Sequence, residues 1–184
     1  MSTEAPARPP INRNRRALLL LVLVAPLFFL FVVRGARFFE VPSKSMESTL
    51  NIGDRMVTLR ESGYARGDIV VFRDPKGSGY LVKRIVGVAG DTLNVDTGAL
   101  FINGEFASEP YIAEAMAYEF AHPVTLKDGE VFVLGDNRNW SEDSHLDLLP
   151  TPVDNIVGRV VYRYYPFDRM GPIRSYPLRN VSGN

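Results

Sequence analysis

One long apolar run and a series of short alternating ones divide the chain. Ala17 to Val33 reads ALLLLVLVAPLFFLFVV, 17 residues without a charge, at the short end of what spans a bilayer as a helix. Gly35, Ala36, Phe38 and Phe39 extend it past Arg34 and Arg37, whose aliphatic stems let their charged heads reach the headgroups. Pro26 sits mid-run, a position that disfavours a helix in water but is tolerated in a membrane. The run is too long for a cleaved secretory signal, and its Val33-Arg34 end is too bulky and charged for a cleavage site. The expected element is an uncleaved transmembrane anchor over residues 17–36, behind a tail of residues 1–16.

Beyond residue 38 the period changes to two. Strands are expected over Arg55–Arg60, Asp68–Arg73, Tyr80–Gly87, Thr92–Val95, Leu100–Ile102, Val124–Leu126, Val131–Leu134 and Ile156–Tyr165. These segments are rich in Val, Ile, Tyr and Phe and are bounded by Gly, Asp, Asn and Pro. Asp96-Thr97-Gly98 and Asn103-Gly104 supply residues that reach positive φ in hairpin turns. Ala113–Tyr118 is the one stretch that suggests a turn of helix. The predicted fold is mostly β: antiparallel, coiled or barrel-like sheets in a domain over 38–184, behind one N-terminal transmembrane helix.

Charge sharpens this division. The 21 basic residues equal the 21 acidic ones, so the chain has no global footprint for nucleic acid. Residues 1–37 nevertheless carry six arginines against Glu4 alone, which leaves the remainder net acidic. Four of those arginines precede the apolar run and two follow it. That bias holds the tail in the cytoplasm and puts the domain on the outer face of the membrane. With 46% hydrophobic residues the chain is foldable rather than disordered. It has no cysteine and only two histidines, His122 and His145. That excludes disulfides, thiolate metal sites and cysteine nucleophiles, and neither a metal nor an organic cofactor is expected.

Three segments stand out from ordinary packing. Pro42-Ser43-Lys44-Ser45-Met46-Glu47-Ser48-Thr49 is hydroxyl-rich and follows the anchor directly; taken alone it reads by default as an ordinary polar linker. In Tyr80–Gly87, alternation puts Lys83 on one face and Arg84 on the other, each among apolar neighbours. A snorkelling lysine is the ordinary alternative, but the other three lysines lie in loops or turns. Burial would disfavour the charged form of Lys83 and make it a usable general base. Gly135-Asp136-Asn137-Arg138-Asn139-Trp140-Ser141-Glu142-Asp143-Ser144-His145 is dense in groups that orient other side chains. Together the three point to a serine nucleophile served by a lysine.

In this order the segments resemble the boxes of the bacterial type I signal peptidases, membrane-bound serine–lysine endopeptidases that remove signal peptides from exported proteins. The resemblance rests on Pro42–Met46, Lys83–Gly87 with Gly90-Asp91, Gly135–Arg138 with Ser141, Asp143 and Ser144, and Arg66–Phe72 between them. It implies Ser45 as nucleophile and Lys83 as general base, with the Ser45 N–H and the Ser43 hydroxyl as oxyanion donors. Ser141 would hydrogen-bond the lysine amine, and Asp143 would pair with Arg138 to fix the loop. Asp136, Asn137 and Arg138 would be scaffold. Met46, Leu50 and Val82 would line shallow pockets for the small residues, typically alanine, one and three positions before the cut.

The implied partners are exported preproteins, the lipid bilayer and the secretion translocon. The implied location is the plasma membrane, single-pass. Three positions depart from the family's pattern: His145 stands where arginine is usual, and Ser48 and Ala89 stand where proline is. Related maturation peptidases share the same boxes. A histidine base, with His145 near Ser45, and a membrane-tethered binding domain without catalysis are the readings from other classes.

Overall fold

The computed structural model describes residues 13–33, 35–75, 77, 79–147 and 149–178. Residues 1–12 of the expected tail lie outside these, as do 179–184 at the end of the expected domain. Two compact units result, Met1–Ala36 and Arg37–Asn184. The first holds α1 (Arg13–Val33), which continues through Pro26. Its Leu18, Leu19, Leu20 and Leu21 stand exposed. Among the described residues no helix is long and apolar enough to cross a membrane.

The second unit is β-rich. Its strands are β1 (Arg37–Glu40), β2 (Arg55–Leu59), β3 (Ile69–Arg73), β4 (Tyr80–Gly87), β5 (Thr92–Asp96), β6 (Ala99–Ile102), β7 (Glu105–Phe106), β8 (Val124–Thr125), β9 (Glu130–Leu134), β10 (Thr151–Pro152), β11 (Ile156–Tyr165) and β12 (Gly171–Pro172). One further helical turn, α2, covers Ser144–Asp147. All eight strands expected from alternation form. Of the four that alternation missed, β7, β10 and β12 are two residues long, too short to show a period.

The large sheet runs β1-β2-β11-β3-β4-β9-β10, with β12 added on β11, and the small one runs β7-β6-β5-β8. Every pairing is antiparallel. Register shifts at Ile85/Gly87, Ile156/Gly158, Val160/Tyr162 and Arg163/Tyr165 coil the large sheet, since each bulge bends its strand. Among the described residues the strand order does not return from β10 to β1, so the coiled sheet is open and not a barrel.

The small sheet depends on its turns. Thr97 and Gly98 take φ of 50° and 77°, and Asn103 and Gly104 take 57° and 82°. Two residues at positive φ give the turn whose twist matches that of paired strands. The turn of helix suggested over Ala113–Tyr118 does not form. Its amides are drawn outward instead, Met116 N–H to the Gly98 carbonyl at 3.0 Å and Ala117 N–H to the Asn139 side chain at 2.8 Å.

Three hydrophobic clusters hold the unit. Leu93, Leu100, Ile102, Phe120 and Phe132 pack under the small sheet. Val41, Met46, Leu50, Met56, Ile69, Val71, Val82 and Val160 pack beneath the hydroxyl-rich segment. Val70, Phe72, Ile85, Val131 and Val133 form the third. β4 contributes to all three, so Lys83 and Arg84 sit where they meet.

Candidate active site

The hydroxyl-rich segment is fixed by its apolar residues. Ser43 is extended, and Lys44–Met46 then make one 3₁₀ turn. Met46 and Leu50 are wholly buried below it, and the Leu50 N–H donates to the Met46 carbonyl at 2.8 Å. This turn packs on β4 and on a second 3₁₀ turn, Arg138–Trp140. Ser45 is 5% exposed, and the Ser43 hydroxyl donates to its Oγ at 3.3 Å.

Lys83 is 2% exposed. Val70, its cross-strand neighbour on β3, and Ile85 on β4 pack together in one apolar cluster. Its Nζ donates to Ser141 Oγ at 2.9 Å. Burial pushes the pKa of the amine below the usual lysine range, and the carboxylates of Asp143, Glu142 and Asp136 partly oppose that. Ser45 and Lys83 thus share one locality, while their hydrogen bonds run to Ser43 and Ser141 respectively.

The support behind Ser141 follows from where β9 ends. Leu134 pairs with Arg84 of β4, so the chain leaving β9 at Gly135 emerges beside Lys83. A side chain at Gly135 would collide with Ser141 Oγ and the Ser45 carbonyl. Ser141 donates its hydroxyl proton to Asp143 Oδ2. Asp143 also accepts from the Gly135 N–H at 2.7 Å and has His145 Nδ1 at 2.6 Å. Burial alone would raise the Asp143 pKa, but the hydrogen bonds from His145, Ser141 and Gly135 outweigh it and hold the carboxyl below its usual range. An ionised carboxylate only accepts, so His145 Nδ1 is the donor. The direction of the whole series follows. Ser141 has one proton and gives it to Asp143, so toward Lys83 it can only accept. A neutral amine bound this way keeps its lone pair free.

The pairing expected between Asp143 and Arg138 is corrected here. The Arg138 guanidinium goes to both oxygens of Glu109, and its Nε goes to the Gly135 carbonyl at 3.0 Å. Glu109 was not foreseen, because nothing local marks one acidic residue in a polar stretch as a buried partner. His145 occupies the place at Asp143. Its ring stacks on Tyr118 with centroids 4.1 Å apart, so it reaches the site through Asp143. His122 is exposed.

On the other face of β4, Arg84 is fully buried. Its Nε and Nη2 meet Asp136 at 2.8 and 2.6 Å, and its Nη1 meets the Gly67 carbonyl at 2.8 Å. Thr49 donates to Asp136 at 2.5 Å, and the Tyr111 ring covers the guanidinium at 3.9 Å. Asp136 is thus committed to Arg84, as Arg138 is to Glu109.

Met46, Leu50 and Val82, expected to line the substrate pocket, are buried. All three belong to one core cluster and present almost no surface to a ligand. They are the floor that holds the Ser45 turn in place. Two hollows of about 320 Å³ lie against the small sheet, one around Thr92, Asn94 and Phe101 and the other around Leu100, Phe106 and Ala113. None of Ser43, Ser45, Lys83 or Ser141 lines either. Among the described residues no group of three His, Asp or Glu could hold a metal ion.

With that geometry in place, comparison with known proteins is direct. Residues 13–165 match the family described as signal peptidase, peptidase S26. The chain is similar to the probable signal peptidase I-1 of Synechocystis sp., 37% identical over 180 residues that cover 89% of each chain. It is 41% identical to the chloroplastic thylakoidal processing peptidase 1 of Arabidopsis thaliana, over 69% of this chain and 41% of that protein. To signal peptidase I of Bacillus licheniformis it is 32% identical, over 84% of this chain and 89% of that one.

Proposed function

This chain belongs to the signal peptidase family and is a serine endopeptidase; from that premise we propose that it removes signal peptides through Ser45 and Lys83. One observation carries the dyad. Lys83 is a buried amine hydrogen-bonded to Ser141, which has already committed its proton to Asp143.

In the proposed reaction Ser45 Oγ attacks the scissile carbonyl carbon while its proton passes to the free lone pair of Lys83. The oxyanion accepts hydrogen bonds from the Ser45 N–H and from Ser43. The first amides of a helical turn have no acceptor within it, and the Ser43 hydroxyl already adjoins the reacting oxygen. Such donors stabilise charge that appears only in the transition state. The Lys83 ammonium then protonates the leaving nitrogen, the C–N bond breaks, and an acyl-enzyme on Ser45 remains. Water hydrolyses it with Lys83 again as base.

The setting is proposed from the sequence. A run of 17 uncharged residues, exposed leucines on α1 and the arginine bias support a single-pass anchor over 17–36. The tail of residues 1–16 would then be cytoplasmic and the domain of 38–184 on the outer face. The preference for Ala-x-Ala sites, exported preproteins as substrates and work beside the translocon rest on the family.

The test is cleavage of an Ala-x-Ala preprotein by the full chain in detergent, with the cut located by mass spectrometry. Cleavage after the second alanine is expected, lost in Ser45→Ala. A variant lacking both histidines that is as dead as Ser45→Ala, with Lys83→Ala still active, would overturn the dyad. For topology, protease added to spheroplasts should digest the domain and spare the anchor; full protection of 38–184 would refute the orientation.

A further inference from the structure

The segment from Glu109 to Tyr118 belongs to neither sheet, yet it is held to the small one. Its Met116 N–H bonds the Gly98 carbonyl, and just beyond it Phe120 N–H bonds that of Val95, each at 3.0 Å. From there it contacts residues that flank or support both halves of the proposed dyad. On the nucleophile side, Ser48 Oγ donates to the Tyr111 carbonyl at 2.6 Å. On the lysine side, Glu109 takes the Arg138 guanidinium. The Asn139 amide donates to Glu114 Oε1 and the Ala115 carbonyl at 3.0 Å each, and accepts from the Ala117 N–H at 2.8 Å. Tyr118 stacks on His145, which bonds Asp143, which holds Ser141 against Lys83.

Two of the three departures from the family's pattern fall on these contacts. Ser48 has φ of 84°, a value closed to proline, whose φ is fixed near −65°. Its hydroxyl supplies the bond to Tyr111 that proline could not. His145 supplies a flat ring for Tyr118 to lie on. A stack of this kind needs the ring and not the phenol: the Tyr118 hydroxyl is buried without a hydrogen-bond partner.

We propose that residues 109–118 form a strap that positions Ser45 and Lys83 relative to each other, with Ser48, Asn139 and the Tyr118–His145 stack as its grips. The inference rests on the serine–lysine reading and adds residues that never touch substrate. They act by holding the groups that do. A displacement of about 1 Å at a catalytic group can cost up to 10²-fold in rate.

The experiment uses the full chain in detergent, with kcat counted per site that a serine-directed acylating probe labels at completion. Tyr118→Leu should lower kcat per labelled site about tenfold and leave KM within about twofold, because alignment is lost and binding is not. Tyr118→Phe should restore the rate, since the ring is kept and the unpartnered hydroxyl removed. Asn139→Ala, at a half-buried site that does not threaten folding, should lower kcat per site about threefold. Wild-type kcat per labelled site in Tyr118→Leu and Asn139→Ala, with only thermal stability reduced, would reduce the strap to scaffolding. Should Tyr118→Leu not fold, Asn139→Ala decides alone. Lys83→Ala is the separate control: if it retains activity, the dyad itself falls, whatever the strap variants do.

Discussion

Lys83 and Arg84 are consecutive cations on one strand, both buried, and their surroundings differ in one respect. Arg84 is met face-on by the Asp136 carboxylate, with Thr49 and Tyr111 completing its enclosure. Lys83 is met by a hydroxyl, with the Asp143 carboxylate set one bond further back. Burial penalises charge in both places. A paired carboxylate on one face offsets that penalty and leaves a structural ion pair. Withdrawing it by the width of a serine leaves an amine whose pKa is lowered. On the proposed reading, adjacent residues become brace and base through what stands opposite each.

The most severe way to break the comparison is to remove the base. Lys83→Ala and Ser45→Ala should each reduce cleavage by about 10³-fold or more, and the double variant should be no worse, since the pair acts as a unit. Lys83→Arg should be as inactive, because arginine does not deprotonate. Next is the brace. Asp136→Asn leaves Arg84 buried against a neutral partner and should cost about 3–5 kcal/mol in urea unfolding, while the folded fraction continues to cleave.

Ser141 allows a sharper test. Ser141→Ala should reduce kcat about 10- to 100-fold by releasing the amine. Ser141→Asp would give Lys83 the surroundings of Arg84, and the acid limb of the pH–rate profile should move to higher pH. Asp143→Asn should move that limb the other way, to a smaller extent, because it removes a charge that favours the ammonium.

The smallest effect is on stability itself. In the window between the lowered pKa of folded Lys83 and the usual lysine value of about 10.4, the unfolded chain binds the extra proton. Stability contributed by this site therefore rises with pH through that window. Asp143, held low in the folded state, stabilises above the usual carboxylate range, and that contribution is lost as pH falls through its folded value. Urea titrations of wild type and of Lys83→Met at several pH values would measure the difference.

Much of this was legible in the sequence, and the failures have physical causes. Alternation located β2 to β6, β8, β9 and β11 because each buries a face, and Lys83 stood out as a cation in an apolar strand. β1 was obscured because Phe38 and Phe39 continue the apolar run before them. The stretch Ala113–Tyr118 has helical composition, but Gly98 and Asn139 take its amides. Arg138 has Glu109 as its partner, 29 residues away, a pairing no local pattern encodes. Met46, Leu50 and Val82 were expected in the pocket from the family resemblance, which could not tell that they also pack in one core cluster.

The place of β11 in the large sheet bears on timing. Residues 156–165 lie between β2 and β3, so the last long strand made completes the middle of the sheet and not its edge. A chain delivered N-terminus first presents Ser45 and Lys83 well before those residues exist, while β2 and β3 still have open edges and Ser141 has not arrived. On the proposed serine–lysine reading, hydrolytic competence therefore waits for β11.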